Sequence, residues 1–187
     1  MGMATSSLKE FEEITELVKT APLRAEIAVE EVPAPLRLAP HALAMVAEVL
    51  EGDEELANGR LVLLFDPAGQ DSWGGTTRLV TFARAGVESD LANDTLLTQV
   101  GWSWLMDCLA RRGAKPLNLS GTVTRTASEA FGELNPQELP GTIEIRASWT
   151  INPSDAAIHV AAWGDLLCQA AGLQPISIEA TQLKKYR

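Results

Sequence analysis

Cations are the minority charge in this chain. Lys and Arg number 15 against 25 Asp and Glu, a formal net charge of −10. Nucleic-acid surfaces depend on clustered cations that neutralise phosphates. The only compact basic run here is Lys184, Lys185 and Arg187, which reads as a solvated tail. No nucleic-acid partner is expected, and the same arithmetic disfavours an anionic membrane surface. Histidine is scarcer, with His41 and His159 alone, and cysteine is limited to Cys108 and Cys168. Two isolated residues of each type do not assemble the common tetrahedral metal sites. There is no CxxC pair, so no metal, redox or cofactor site is expected. Both cysteines fall among apolar neighbours in the last turns of expected helices, as buried free thiols do. Free thiols without a signal peptide imply the cytoplasm. No apolar run approaches the ~18 residues that a membrane span needs.

Other motifs fail on spacing. The acidic run Glu51-Gly-Asp-Glu-Glu55 lacks the alternation of a calcium loop. Gly69, Gly74 and Gly75 form neither a P-loop nor GxGxxG, and Asp66 and Asp71 beside them would repel phosphate. Ser128 and Ser148 lie in no nucleophile motif. The start MGMATS matches the myristoylation pattern, a short pattern that chance readily produces.

What is present is a globular balance, with 46% hydrophobic and 21% charged residues. At 187 residues the chain suits one domain, residues 1–187, with its core over about 7–173 and a tail over 174–187. Ser7 with Glu10 forms a capping-box pattern, predicting a helix from Ser7 to Thr20 that Pro22 ends. Arg24 to Val32 alternates as a half-exposed edge strand. The proline-rich stretch Pro33 to Pro40 predicts a stiff, extended connector. Strands follow at His41–Leu50, Gly59–Asp66 and Thr76–Ala85, the first two joined by the polar loop GDEELANG. The run from Arg60 to Phe65 is apolar on both faces, so it should be central and covered on both sides. A helix over Thr95–Arg112 closes at Gly113, and a strand pair spans Gly121–Ser128 and Thr142–Ile151. Asn152 caps a last helix that ends at Gly172. The order α-ββββ-α-ββ-α predicts an α+β domain with a mostly antiparallel sheet of about six strands and three helices. Helices on both sides, or two joined protomers, would cover the central strands.

Two candidate sites emerge. On the middle helix Leu97, Val100, Gly101, Trp104, Leu105 and Cys108 form the core stripe. Trp102, with Met106 and Leu109 near it, lies well round the helix, so Trp102 and Met106 are candidates for an interface centre, with Trp73 in the glycine-rich loop next. The alternatives are burial of Trp102 and anchoring of the loop by Trp73. On the last helix Asp155, His159 and Trp163 are each one turn apart, which suggests a small-molecule pocket. The alternative there is a capping Asp beside a packed His. The leading expectation is a non-catalytic protein-binding, adaptor or chaperone-like module, as a homodimer or with a second protein. The rival is a small-molecule binder or enzyme at His159.

The stretches RLAP (Arg37 to Pro40), GRLVLLFDPAG (Gly59 to Gly69), VGWSWL (Val100 to Leu105), GTVTR (Gly121 to Arg125) and IRASWT (Ile145 to Thr150) together resemble an actinobacterial family, domain of unknown function 3000. The resemblance runs over roughly Val29 to Leu173. It implies an actinobacterial cytosolic protein, which makes the myristoylation match moot, and it carries over no catalytic residue. The element order is also similar to type III secretion chaperones, with one extra strand.

Overall fold

Turns decide where the strands pair. Gly52 adopts a left-handed φ of 64°, which lets Glu51 and Glu54 face each other across a two-residue turn. Gly74, at φ 67°, helps close the next hairpin, where Gln70 faces Gly75. The computed structural model describes residues 2–133 and 140–175. Its elements are α1 (Gly2–Lys19), β1 (Ile27–Val32), β2 (His41–Glu51), β3 (Glu54–Gln70), β4 (Gly75–Val87), α2 (Ser89–Asn93), α3 (Leu97–Arg112), β5 (Leu117–Thr126), β6 (Gly141–Thr150), a 3-10 turn (Pro153–Asp155) and α4 (Ala156–Ala170). The six strands form one antiparallel sheet in the order β1-β2-β3-β4-β6-β5. The fold is α+β, as its sequence pattern predicts.

Period-two alternation splits every strand between two faces. Leu43, Met45, Leu61, Leu63, Phe65, Leu79, Ala83, Ile143, Ile145 and Trp149 form the main core with α1, α3 and α4. Gly59 lets α4 sit close, because a Cβ there would lie 2.6 Å from Leu167 and 3.0 Å from Trp163. Gly101 does the same for α3 over Ile143 and Val123.

Several boundaries differ from the sequence expectation. Helix α1 begins before Ser7, so Ser7 is not its cap. Strand β1 starts only at Ile27, after Arg24 pairs with Glu26. The polar stretch GDEELANG is mostly strand, because its hairpin turn is so short. Strand β5 starts at Leu117 through a bulge in which Asn118 takes φ 49°, and it stops at Thr126. Asn152 caps the 3-10 turn, its side chain accepting from the Ser154 amide, and α4 follows. The tail expected over 174–187 falls mainly on residues 176–187, outside the described residues, as do the basic run Lys184, Lys185 and Arg187 and the side chains of residues 1–5.

The cover over β3 is also a correction. Three long helices share one face, and neither a second helical layer nor a partner is needed over Val62 and Leu64. The connector and Trp73 cover them instead. Ala34 and Ala39 pack against a small cluster of Ala44, Val62, Leu64 and Trp73. The connector bends to do this, with Arg37 at φ 71°, rather than running straight.

Candidate functional site

Beyond that cap, no element among the described residues covers the second face of the sheet, and its register places specific side chains side by side. One row runs Glu30, Val46, Arg60, Phe82, Arg146 and Thr122 from β1 to β5. The next runs Val32, Ala44, Val62, Val80, Ser148 and Ser120. Val46 and Phe82 are half-buried and Val80 is 37% exposed. The Arg146 guanidinium lies 5.6 Å from the Phe82 ring centre, a cation–π contact. Glu144 holds Arg146 at 3.0 Å and lies 3.8 Å from Arg84. Arg60 reaches back to the Pro33 carbonyl at 3.4 Å. A shallow groove of about 370 Å³ lies beside Phe82, lined by Val46, Glu48, Glu55, Asn58 and Arg60 among others. A second hollow of about 550 Å³ lies at the end of β4, against Glu88, Ser89 and Asp90.

Arg78 closes the capped end. It is buried, and its partners among the described residues are neutral oxygens: the Thr150 hydroxyl at 3.1 Å, the Ser148 hydroxyl at 2.8 Å, and the Ser148 and Asn118 carbonyls at 3.3 Å. Burial lowers its pKa. Asn118 and Thr150 in turn donate to the Trp73 carbonyl at 2.8 and 2.6 Å. This network ties three strands to the Trp73 turn. Trp73 is only 8% exposed, so it anchors its loop rather than presenting a ring to a partner.

The structure encloses His159 and Trp163 and leaves Asp155 half-buried. His159 is fully buried, and its Nδ1 accepts a 3.0 Å bond from the Trp149 indole. Burial pushes its pKa down to about 4, against a smaller opposing pull from Asp155. Its Nε2 has no hydrogen-bond partner among the described residues. Asp155 accepts from the Ser154 hydroxyl at 3.3 Å, and Trp163 donates to the Phe82 carbonyl at 3.2 Å. Neither described hollow is lined by any of the three. Burial raises both thiols, Cys108 and Cys168, to about 11, where they are protonated at neutral pH. Among the described residues, no three His, Cys, Asp or Glu side chains gather as metal ligands do.

On α3 the buried arc is Leu97, Gly101, Leu105, Cys108 and Leu109. Leu109 therefore belongs to the core, whereas Val100 is exposed and Trp104 only half-buried. The physical reason is that α3 packs on β5, β6 and α4 together, which turns its buried arc toward Leu109. Trp102 is half-buried against the edge strand, its ring 2.9 Å from where a Gly121 Cβ would sit, while Met106 is 42% exposed.

Val46, Arg60, Val80, Phe82 and Arg146 were not singled out by sequence reasoning. The available signal was the alternation Arg78-Val80-Phe82-Arg84, apolar at the middle and cationic at both ends. It lies on one face of a strand whose other face is also apolar, so it does not stand out along the chain.

Among the described residues, no helix is long and apolar enough to cross a membrane. A family model described as a protein of unknown function, DUF3000, matches residues 7–179. No curated protein and no solved structure matches the chain, so the likeness to type III secretion chaperones has no support.

Proposed function

The chain belongs to the DUF3000 family, and we propose that it is a non-catalytic protein-binding module, an adaptor whose docking surface is the open face of its sheet. The carrying observation is the uncovered row Val46–Arg60–Phe82–Arg146 with Val80 beside it. The apolar centre is flanked by Arg60, Arg84 and Arg146 and by Glu30, Glu48 and Glu144, and it shares the aromatic and Arg enrichment of protein interfaces. The rigid sheet holds the patch without ordering cost on binding. Arg60 and Arg146, with Glu48 and Glu55 in the groove, suit a partner segment that carries charges of both signs around an apolar side chain.

The titratable groups that a reaction would recruit support a non-catalytic role. His159 is neutral and enclosed, and both thiols are protonated. Buried thiols fit a cytoplasmic setting, and the sequence resemblance an actinobacterial one.

The test is photo-crosslinking from position 80 in lysate of the protein's own host. One polypeptide should be captured reproducibly, lost on Phe82→Asp, and retained on Glu13→Gln at the helical surface. Capture that is equal from positions 13 and 80, or unmoved by Phe82→Asp, would overturn the reading.

A further inference from the structure

The two edges of the sheet are unlike. Strand β1 spans six residues, carries Glu30 and Glu31, and runs into Pro33. Charged side chains and proline are the usual means of keeping an edge from pairing. Strand β5 spans ten residues with no carboxylate, lysine or proline; Arg125 is its one charge. After the bulge at Asn118 it runs regularly from Ser120 to Thr126. Its open-face residues are Ser120, Thr122, Thr124 and Thr126, all exposed hydroxyls. On the helical side, Trp102 leans over Gly121 with exposed Met106 one turn on.

We propose that β5 is the self-association edge of this chain, pairing antiparallel with β5 of a second copy about a two-fold axis near Val123. This goes beyond the adaptor reading and uses a different surface. An antiparallel pair of identical strands is self-complementary under a two-fold axis. Any register that keeps the faces aligned sets hydroxyl against hydroxyl, and Thr–Thr and Ser–Thr cross-strand pairs are favourable. The same axis brings Trp102 and Met106 of each copy to the seam on the helical side, so both face the interface.

Self-complementarity of the hydroxyl ladder selects a second copy as the occupant, and the charge distribution permits it. Two copies of net charge −10 repel unless their acids stay apart. The acidic helix α1, with Glu10, Glu12, Glu13 and Glu16, packs by β2 and α4, near the far edge. Strand β1 lies five strand spacings from β5, about 24 Å. That exceeds the ~8 Å Debye length at physiological salt. Close to the edge, Glu144 is engaged by Arg146 and Arg84, α3 contributes Asp107, and Glu129 and Glu133 follow the end of β5. Joining through β5 therefore places the two acidic ends at opposite extremes of a twelve-stranded sheet, twice the six strands of one copy.

Sedimentation velocity of the full chain from about 1 to 100 µM tests this. The wild type should sediment as a dimer. T122K/T124K should weaken association at least tenfold by setting lysines opposite lysines, and Met106→Glu should weaken it by placing two carboxylates at the seam. Circular dichroism melting identifies any variant that fails to fold, in which case the other decides. A wild type that stays monomeric to 100 µM, or a dimer unmoved by both variants, would overturn the proposal. So would a dimer broken by Phe82→Asp and not by the edge variants. Failure to capture any partner from position 80, with the dimer intact and broken by the edge variants, would count against the open face alone.

Discussion

The two faces of the sheet are made by alternate residues of the same strands yet are covered by unlike means. On one, Leu61, Leu63 and Phe65 lie under three long helices. On the other, Val62 and Leu64 lie under a bent connector and one tryptophan, while Val80 stays exposed and Phe82 is half-buried beside the Arg146 guanidinium. The first face carries the stability. The second is stabilised only at one end, which leaves an apolar patch on a rigid support. A site can be placed there because the fold does not depend on it.

Substitutions sharpen that contrast. The largest effect falls on the helical face. Trp149→Ala removes a fully buried ring and the donor to His159. It should cost about 3–5 kcal/mol in urea unfolding. Trp73→Ala, on the capped end of the other face, should cost about 2 kcal/mol, because its turn can collapse into the space. Equal costs would break the comparison.

The next effect is a pH dependence confined to the helical face. His159 stays neutral in the folded chain down to about pH 4, against an ordinary value of 6.5. Between these values the unfolded chain binds the extra proton. This group's contribution is therefore complete above pH 6.5 and is lost as pH falls toward 4, by at most ~1.4 kcal/mol per pH unit. Denaturant titrations from pH 7 to 4 should show that slope, and His159→Gln should flatten it. An unchanged slope in the variant would assign the effect to other groups.

The smallest effect belongs to the uncovered patch. Phe82→Ser should change stability by under about 1 kcal/mol, since little packs on the ring from outside. A loss as large as that of Trp73→Ala would mean that Phe82 is structural.

Much of this was legible along the chain. Ile143, Ile145, Ala147 and Trp149 alternate with polar neighbours, and β6 follows that pattern. Of the run from Arg60 to Phe65, expected to be covered on both sides, Leu61 to Phe65 are buried on both faces and Arg60 is exposed. Its cover was misjudged because the covering atoms come from Ala34, Ala39 and Trp73, small or isolated residues with no periodicity. His159 was legible as a packed histidine or a pocket, and its partner proved to be Trp149, on another element. Helical spacing from Asp155 and Trp163 carries no trace of that bond.

Local alternation, capping and turn residues determined the element order, the antiparallel pairing and the α+β class, because each depends on neighbours a few positions away. Which face the helices would cover, which patch would stay open and which tryptophan would be enclosed were settled only by tertiary packing. Those outcomes depend on contacts between residues far apart in the chain, such as Trp73 with Thr150 and Phe82 with Arg146, and such contacts leave no periodic mark in a single sequence.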